Sequence, residues 1–377
     1  MNVYFTAAFR TVFLSAILGL VVGCAGTPDR PKPAELPPSA GLLGVRLAWT
    51  VKSDAVEYPL ALKVNGDAVL FASSNGALKS LSALTGETLW SANVGANLSA
   101  GIGSDGRMTA VVTVENELVV LNESRVLWRQ ALLAQGFTAP LVAGGRVFLL
   151  AADRSVVAFD AQSGRKLWTQ QRTGDSLVLR QSGVLLAVGN TLIAGISGKL
   201  VGLNPSNGSV LWEASLSSPR GTNEIERLVD LIGRVSRVGE VVCARSFQSN
   251  VGCVDAGRGR VLWTMAASGS TGIDGDDLRI YGAEGNGEIM AWSRADGERV
   301  WISDRLKYRR LSSPLVLGRS IVVGDETGTV HWLSREDGTP LGRISTDGSQ
   351  IAVAPILASG TLVIVTRNGG VFGFKPE

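Results

Sequence analysis

One short unit recurs along this chain and constrains its fold more than any other feature of the sequence. It is a turn followed by a strand that ends in Trp, as in SGRKLW at residues 163–168. Similar copies lie at residues 85–90, 207–212, 258–263 and 296–301, with a shortened copy at 124–128 and a copy at 337–342 in which Gly342 replaces Trp. Because one such unit cannot bury its own apolar faces, the repetition indicates an architecture in which neighbouring units stack.

An alternating apolar strand precedes the turn in each unit. From the first Gly of this strand to the Trp position the offset is 14 residues in the copies that start at Gly76, Gly198, Gly287 and Gly328. Further apolar strands lie upstream, several of them after a Pro, which a strand tolerates at its first position. Each unit therefore contains four strands joined by hairpin turns.

The spacing and number of these units predict the fold. Successive Trp residues of the repeat, from Trp49 to Trp301, lie 38 to 51 residues apart, and a four-stranded propeller blade takes about 40–45 residues. The third strand of the unit occurs eight times. Residues 45–49 form a Trp strand with nothing before it, and residues 370–374 form a third strand with no Trp strand after it. The sequence predicts an all-β, eight-bladed β-propeller of four-stranded antiparallel blades over residues 45–377, closed by the N-terminal strand, which removes two exposed edges.

Composition argues against several kinds of function. Charged residues make up 18% of the chain, the net charge is +3, and Lys and Arg form no cluster that favours nucleic acid. The single His, His331, makes a His-rich metal site impossible and is expected to pack or lie at the surface. The sequence contains no G-x-S-x-G, P-loop or HExxH motif. We therefore expect a binding scaffold with no catalytic residue, metal or cofactor, not an enzyme.

The N-terminus has the pattern of a targeting segment. Arg10 precedes an apolar run at residues 11–22, which is too short to span a bilayer comfortably. The run ends in VVGC at residues 21–24, which resembles the lipobox of bacterial lipoproteins. That resemblance implies a signal peptide at residues 1–23 and a lipid on Cys24; an ordinary secretory signal followed by an unrelated Cys is the alternative.

A Pro-rich stretch follows, and we expect residues 24–44 to be an extended tether between the lipid and the propeller. Ala25 follows the lipobox Cys, and by the same resemblance it favours the outer membrane, where the domain would face the periplasm.

Two further cysteines remain, Cys243 and Cys253, which flank an expected hairpin turn near Gln248. They are placed to face each other across two strands, and the periplasm permits a disulfide. Two reduced, packed thiols are the alternative.

The repeat also carries a family resemblance. Residues 156–168 (VVAFDAQSGRKLW) resemble the pyrroloquinoline-quinone-type propeller repeat, found in quinoprotein dehydrogenases and in a lipoprotein subunit of the outer-membrane β-barrel assembly (BAM) complex. With its lipobox, short tether and eight blades, the chain is similar to the latter, the BamB family, over residues 12–377. The resemblance implies a non-enzymatic scaffold that binds a POTRA domain of BamA, the barrel subunit, and assists the insertion of unfolded outer-membrane proteins.

Two loops match that family more specifically: LVLR at residues 177–180 and NEIERLVD at residues 223–230. The resemblance implies that Leu177, Leu179, Arg180 and Asp230 form the partner-binding patch. The family pattern has a second acidic residue two positions after Asp230, where this chain has Ile232. Ordinary connections between blades are the alternative interpretation of these loops.

Two other functions stay open at this point. A quinone-dependent dehydrogenase would bind a metal beside its quinone and often use adjacent cysteines, whereas Cys243 and Cys253 are ten residues apart and no acidic and amide cluster marks a calcium site. A periplasmic propeller that binds polysaccharide or peptidoglycan is the other alternative.

Overall fold

The computed structural model describes residues 31–39, 41–57, 60–172, 177–220, 222–223 and 227–377. Every regular element in these ranges is a β-strand, and the strands form eight four-stranded antiparallel sheets. The predicted eight-bladed propeller is confirmed. The same ranges contain no helix with the length and apolarity that a membrane span needs. Cys24 and the predicted signal peptide lie outside the described residues.

The blades follow one another in chain order, and each uses four consecutive strands except the last. Blades 1 to 4 consist of β2 (Lys63–Asn65), β3 (Ala68–Ala72), β4 (Ala77–Ser82) and β5 (Thr88–Asn93); β6 (Gly103–Ser104), β7 (Met108–Val112), β8 (Glu117–Asn122) and β9 (Arg125–Ala131); β10 (Leu141–Ala143), β11 (Arg146–Leu150), β12 (Val156–Asp160) and β13 (Lys166–Gln170); β14 (Leu185–Val188), β15 (Thr191–Ile196), β16 (Lys199–Leu203) and β17 (Val210–Ser215).

Blades 5 to 8 consist of β18 (Leu231–Val238), β19 (Val241–Ser246), β20 (Asn250–Asp255) and β21 (Arg260–Ala266); β22 (Ile273–Gly275), β23 (Arg279–Ala283), β24 (Ile289–Ser293) and β25 (Arg299–Ser303); β26 (Leu315–Leu317), β27 (Ser320–Gly324), β28 (Thr329–Ser334) and β29 (Pro340–Ser345); β30 (Ile356–Ala358), β31 (Thr361–Val365), β32 (Gly370–Pro376) and β1 (Val45–Lys52).

Blade 8 closes the ring as the sequence predicts. Its sheet order is β30-β31-β32-β1, and β1 pairs antiparallel with β32 from Val45 opposite Pro376 to Lys52 opposite Gly370. The N-terminal strand thus supplies the outer strand that the last blade lacks, and the ladder hydrogen bonds of β32 are satisfied on both sides.

The core lies between the blades, and the period-2 alternation of the strands explains why. In β11, Val147 and Leu149 pack with side chains of blade 2, whereas Phe148 and Leu150 pack with side chains of blade 4. Because successive side chains point to opposite faces of a sheet, each blade needs a neighbour on both sides. Full burial of a side chain of this size contributes about 1.5–3 kcal/mol, so a blade is stable only within the ring.

The repeat Trp residues join each blade to the next. The indole N–H groups of five of them donate, at 2.8–3.1 Å, to a backbone carbonyl of the following blade. The carbonyl lies in that blade's third turn, which joins its third and fourth strands. These pairs are Trp49 with Ala83, Trp128 with Ala161, Trp168 with Pro205, Trp263 with Arg294, and Trp301 with Arg335. The same indole rings, and that of Trp212, lie against the repeat Gly of that turn. The Trp and Gly of the repeat thus act between neighbouring blades.

Blade 7 carries the repeat copy without a Trp, and its neighbour shows why none is needed. The third turn is missing in blade 8, since its last two strands, β32 and β1, come from distant parts of the chain. A Trp at position 342 would therefore have no turn to contact. Leu43 lies there instead: a Cβ atom built on Gly342 would lie 3.9 Å from the Leu43 Cβ atom.

Part of the predicted tether lies on the propeller surface. The backbone of Ala34 donates to the carbonyl of Lys307 at 2.9 Å, and the Leu42 N–H donates to the carbonyl of Leu341 in β29, also at 2.9 Å. Between these points the Arg343 guanidinium donates to the Pro37 carbonyl. These contacts cover part of the outer edge of blade 7, which would otherwise be open to pairing with another strand.

Blade 5 holds the two cysteines that the sequence places across a hairpin. Cys243 in β19 lies directly opposite Cys253 in β20, with Gln248 in the turn between the strands. Their sulfur atoms are bonded to each other, and both residues are fully buried.

The contact between Trp and Gly predicts a position-specific effect of adding one methyl group. A Cβ atom on Gly208 would lie 2.5 Å from Cε3 of Trp168, whereas one on Gly189 would meet no atom within 4 Å; both glycines have a positive φ. We expect Gly189→Ala to cost only the roughly 1–2 kcal/mol of a left-handed residue. Gly208→Ala adds overpacking of about 1–3 kcal/mol. Denaturant unfolding of both variants measures the difference, and equal midpoints would contradict the proposed role of this contact.

A second prediction concerns the cysteines. Trypsin cleavage after Arg237, Arg245 and Arg258 places Cys243 and Cys253 in separate peptides, residues 238–245 and 246–258. Without reductant, mass spectrometry should find the two peptides covalently linked, and reduction should separate them. Closing a loop of about ten residues stabilises a protein by about 2–3 kcal/mol in the chain-entropy model, so reduction of the unfolded chain should lower the stability regained on refolding. Recovery of both peptides with free thiols would contradict the bridge.

Candidate partner-binding surface

The antiparallel blades give the ring two chemically different ends. In a four-stranded antiparallel blade, the first and third turns lie at one end, and the second turn and the link to the next blade lie at the other. We call the first the turn end, since it carries the contacts between Trp and Gly, and the second the linker end. All four residues of the predicted partner patch lie at the linker end, in the links that follow blades 3 and 4.

An ion pair between two of these loops organises the predicted patch. The Arg154 guanidinium, from the second turn of blade 3, donates to Asp230 Oδ1 at 3.0 Å and to the Leu177 carbonyl at 3.1 Å. The other oxygen of Asp230, Oδ2, accepts the backbone N–H of Leu179 at 3.0 Å. The Arg154 and Asp230 side chains are only 8% and 17% exposed. This arrangement, the Arg154–Asp230 clamp, fixes the backbone of residues 177–179.

The residue that follows the clamp projects to the surface. Arg180 is exposed, and its guanidinium carbon lies 5.5 Å from the centre of the Phe137 ring, in the link between blades 2 and 3. Leu177 and Leu179 are half-buried, and Leu179 lines a small pocket with Phe137. The stacked guanidinium keeps its charge accessible while the ring restricts its motion, so Arg180 is well placed to meet an acidic group on a partner.

The structure thus brings Leu177, Leu179, Arg180 and Asp230 together, but it gives them different roles. Asp230 is occupied by Arg154 and by the Leu179 amide, so it positions the loop. Ile232, which stands where the family pattern has a second acid, is buried in β18. Residues 224–226 of the second matched loop lie outside the described residues. Among the described residues of the patch, Arg180 therefore carries the accessible charge.

One prominent residue at this end was not predicted from the sequence. Leu133, in the link between blades 2 and 3, is 97% exposed. Further along that link, the Gln135 carbonyl accepts the backbone N–H of Ala152, which lies in the same turn as Arg154. The link containing Leu133 therefore adjoins the clamp. The pair Leu132-Leu133 directly after a Trp strand was the signal available in the sequence, since Leu132 packs against the core of blades 2 and 3 and leaves Leu133 without a core position.

The axis of the ring is crossed by a charged side chain. Arg234 lies in β18, the first strand of blade 5. Its guanidinium donates to the Pro355 carbonyl beside blade 8 at 2.9 Å and pairs with Asp274 of blade 6 at 3.1 Å. Asp274 also accepts the Val316 N–H of blade 7 at 2.9 Å. Four blades are thus tied together at the axis. Among the described residues, no group of three or more His, Cys, Asp or Glu side chains is placed to hold a metal ion.

His331 serves packing, as the sequence analysis expected. It is buried, and its Nε2 lies 2.9 Å from Asp325 Oδ2, which also accepts from Arg309 at 3.1 Å. Burial disfavours the charged carboxylate, but hydrogen bonds from His331 and Thr327 outweigh burial and lower the pKa of Asp325 to about 2. The group remains an anion that links the second turn of blade 7 to β28.

Comparison with known proteins adds an independent line of support. Residues 74–303 match the family model described as outer membrane protein assembly factor BamB. A protein of that name from Burkholderia pseudomallei is 38% identical over 382 aligned residues, which cover 100% of both chains. Another, from Bordetella pertussis, is 34% identical over 96% of this chain and 95% of its own length. The chain belongs to the BamB family.

Solved structures agree at the level of the fold. The crystal structure of BamB from Moraxella catarrhalis superposes with a TM-score of 0.80 and 22% identity, covering 88% of this chain and 99% of that one. The BamB-family relatives are assembly factors and not enzymes, which confirms the prediction of a non-enzymatic protein.

If the Arg154–Asp230 clamp holds its loop in this BamB-family chain, weakening it should increase local amide hydrogen exchange. Asp230→Asn leaves one acceptor oxygen where the carboxylate offers two, so the Arg154 guanidinium and the Leu179 amide compete for it. We expect faster hydrogen exchange across residues 177–183 with little change elsewhere, measured by mass spectrometry. Glu117→Gln is the matched control, because its ion pair with Arg129 is more than a third exposed on both sides and contributes little. Unchanged exchange in Asp230→Asn would show that the clamp does not hold the loop.

Proposed function

We propose that this chain is a non-enzymatic lipoprotein subunit of the BAM complex. In this proposal its linker end binds the POTRA region of the barrel subunit BamA, and it assists the assembly and insertion of β-barrel proteins into the outer membrane. Membership of the BamB family supports a role in outer-membrane protein assembly, since the relatives are named outer membrane protein assembly factors. The single observation that supports the binding surface is the clamp that presents Leu179 and Arg180 together.

Preorganisation is the physical reason to place the partner here. A loop that must be ordered on binding costs conformational entropy, and a loop already held in place does not. Asp230 fixes the Leu179 backbone from one side, and Phe137 restricts Arg180 from the other. An oriented Arg is typical of the residues that dominate interface energies, and the half-buried Leu179 beside it adds apolar contact area.

The location proposed for the protein rests on its N-terminus. A lipid on Cys24, after removal of residues 1–23, would anchor the propeller at the periplasmic face of the outer membrane, as Ala25 favours. The Pro-rich residues 24–44 would form the connection, and within them Ala34 bonds to Lys307 in the link after blade 6 and Leu42 bonds to Leu341 of blade 7. A propeller held in this way works beside membrane-embedded partners and needs no membrane span of its own.

The partner surface is tested by charge and size changes that leave the ring intact. We expect Leu179→Asp and Arg180→Ala each to abolish or strongly weaken co-purification with the barrel subunit from membranes solubilised in mild detergent. Replacing a hot-spot residue commonly costs 2 kcal/mol or more, which is about thirtyfold in affinity.

Leu278→Asp is the matched control, because Leu278 is 71% exposed in the first turn of blade 6, at the turn end. It introduces the same charge on the opposite side of the ring and should leave co-purification unchanged. Thermal unfolding of all three variants verifies that the propeller persists. Retention of the barrel subunit by the double variant Leu179→Asp, Arg180→Ala would refute the proposed surface.

A further inference from the structure

The third turn of blade 2 is shorter than its counterparts, and this changes the surface of blade 1. In blade 3 the repeat Trp168 follows the end of β12, Asp160, by eight residues, and the same offset of eight separates Ser82 from Trp90 in blade 1. In blade 2 only six residues separate Asn122 from Trp128. Two residues are missing directly after β8.

Those two residues include the one that a repeat Trp contacts. In blades 1, 3, 4, 6 and 7 the third turn supplies a backbone carbonyl that accepts the indole N–H of the preceding blade's Trp, as Ala161 does for Trp128. The Gly that covers the ring follows three residues later, as Gly164 does over Trp128. The blade 2 turn contains only Glu123 and Ser124, so it has no Gly, and neither of their carbonyls accepts the Trp90 indole N–H.

Trp90 is consequently the repeat Trp that no neighbouring turn covers. The other six repeat Trp residues, including Trp212, lie against a Gly of the next blade. Within the described part of the chain, the indole N–H groups of Trp90 and Trp212 make no hydrogen bond, but Trp212 is covered by Gly259 and Trp90 by no Gly. A pocket of about 670 Å³ opens beside Trp90, between blades 1 and 2 at the turn end.

The lining of this pocket mixes apolar and polar side chains. Trp90 and Leu89 contribute the apolar surface, and Leu89 is 56% exposed. Asp105, Arg107 and Glu123 contribute charged groups around the opening. The pocket therefore offers an indole ring and apolar contact area beside charged groups that can orient a ligand.

We propose that this pocket binds the Gly-containing turn of a β-hairpin from an unfolded outer-membrane β-barrel chain. The turn takes the place that the missing residues of blade 2 leave, with a backbone carbonyl on the Trp90 indole N–H and its Gly against the ring. We infer a Gly-containing turn as the ligand because the six equivalent Trp residues of this chain are each covered by such a turn. The identification of the hairpin's source rests on the proposed function, because antiparallel barrel strands are joined by short turns.

The position of the pocket permits simultaneous binding. It lies at the turn end, formed by the first turns of blades 1 and 2 and the third turn of blade 2, whereas the Arg154–Asp230 clamp lies at the linker end. A client hairpin and the barrel subunit therefore do not compete for the same surface.

A direct binding measurement tests the pocket. The full-length lipoprotein in detergent micelles, with ¹⁵N-labelled Trp, is titrated with a cyclised peptide of residues 157–169, the hairpin that covers Trp128 in the ring. The Trp90 indole signal is identified by its loss in Trp90→Phe. We expect this signal to shift in a saturable manner, and the same peptide with Val in place of its Gly to bind about tenfold more weakly.

A variant that refills the gap is the matched control. Insertion of Ala-Gln after Asn122 together with Ser124→Gly restores the turn length and the Gly of blade 3. We expect it to fold, to shift the Trp90 signal without any peptide, and to abolish peptide binding. An unshifted Trp90 signal at saturating peptide overturns the proposal. A shift produced by an N-acetylglucosamine disaccharide and not by the hairpin also overturns it, in favour of a glycan site.

Cross-linking in cells tests the source of the hairpin. Benzoylphenylalanine is placed at Leu89 or, as control, at Leu278, which is exposed at the same end of the ring. Cross-links from position 89 should map by mass spectrometry to turns of outer-membrane β-barrel proteins, and those from position 278 should not. Cross-links that map elsewhere overturn the assignment. Co-purification of Trp90→Phe with the barrel subunit is measured in parallel: if it persists while the pocket fails, the proposed function stands and this inference alone falls.

Discussion

The contact between a repeat Trp and the Gly of the following blade is the interaction on which the rest of this molecule depends. It combines an indole N–H donated to a backbone carbonyl with a ring that lies where a Cβ atom would otherwise be. Each contact couples two blades and none acts within a blade, so the stability of a blade depends on its neighbours. That coupling, together with apolar cores shared between adjacent sheets, makes the closed ring the stable unit.

The two irregular positions of the ring follow from this rule. Blade 8 has no third turn, since β32 and β1 come from distant parts of the chain, and blade 7 correspondingly has Gly342 in place of Trp, with Leu43 beside it. Blade 2 has a short third turn, and Trp90 of blade 1 is left uncovered. At blade 7, Leu43 of the N-terminal segment occupies the place beside Gly342. At blade 1 the mismatch leaves a pocket with an unused donor, which is why we assign it a ligand.

The two ends of the ring are under different sequence constraints. At the turn end, the repeat determines which residues are allowed, because Gly and Trp must meet. Among the described residues, the linker end carries no such contact, so its loops are free to differ in length and sequence, and the candidate partner surface lies there. Arg154 and Asp230 show how such a loop is made specific: a largely buried ion pair from two different connections holds the Leu179 backbone, and Arg180 follows it at the surface.

The sequence by itself determined the architecture of this protein. Constant spacing of Gly and Trp, period-2 alternation and the orphan strand before Trp49 were sufficient for eight blades and their closure, because these signals are local or strictly repeated. Only the tertiary structure decided which side chains outside the repeat pair with each other. Asp230 is predicted to belong to the partner-binding patch, and the structure adds that it holds the Leu179 backbone and pairs with Arg154, 76 residues away in the chain. Arg245 reads as an ordinary strand residue, yet it is fully buried against Glu284 of the next blade. Pairings of this kind depend on which turns the closed ring brings together, and no local pattern records them.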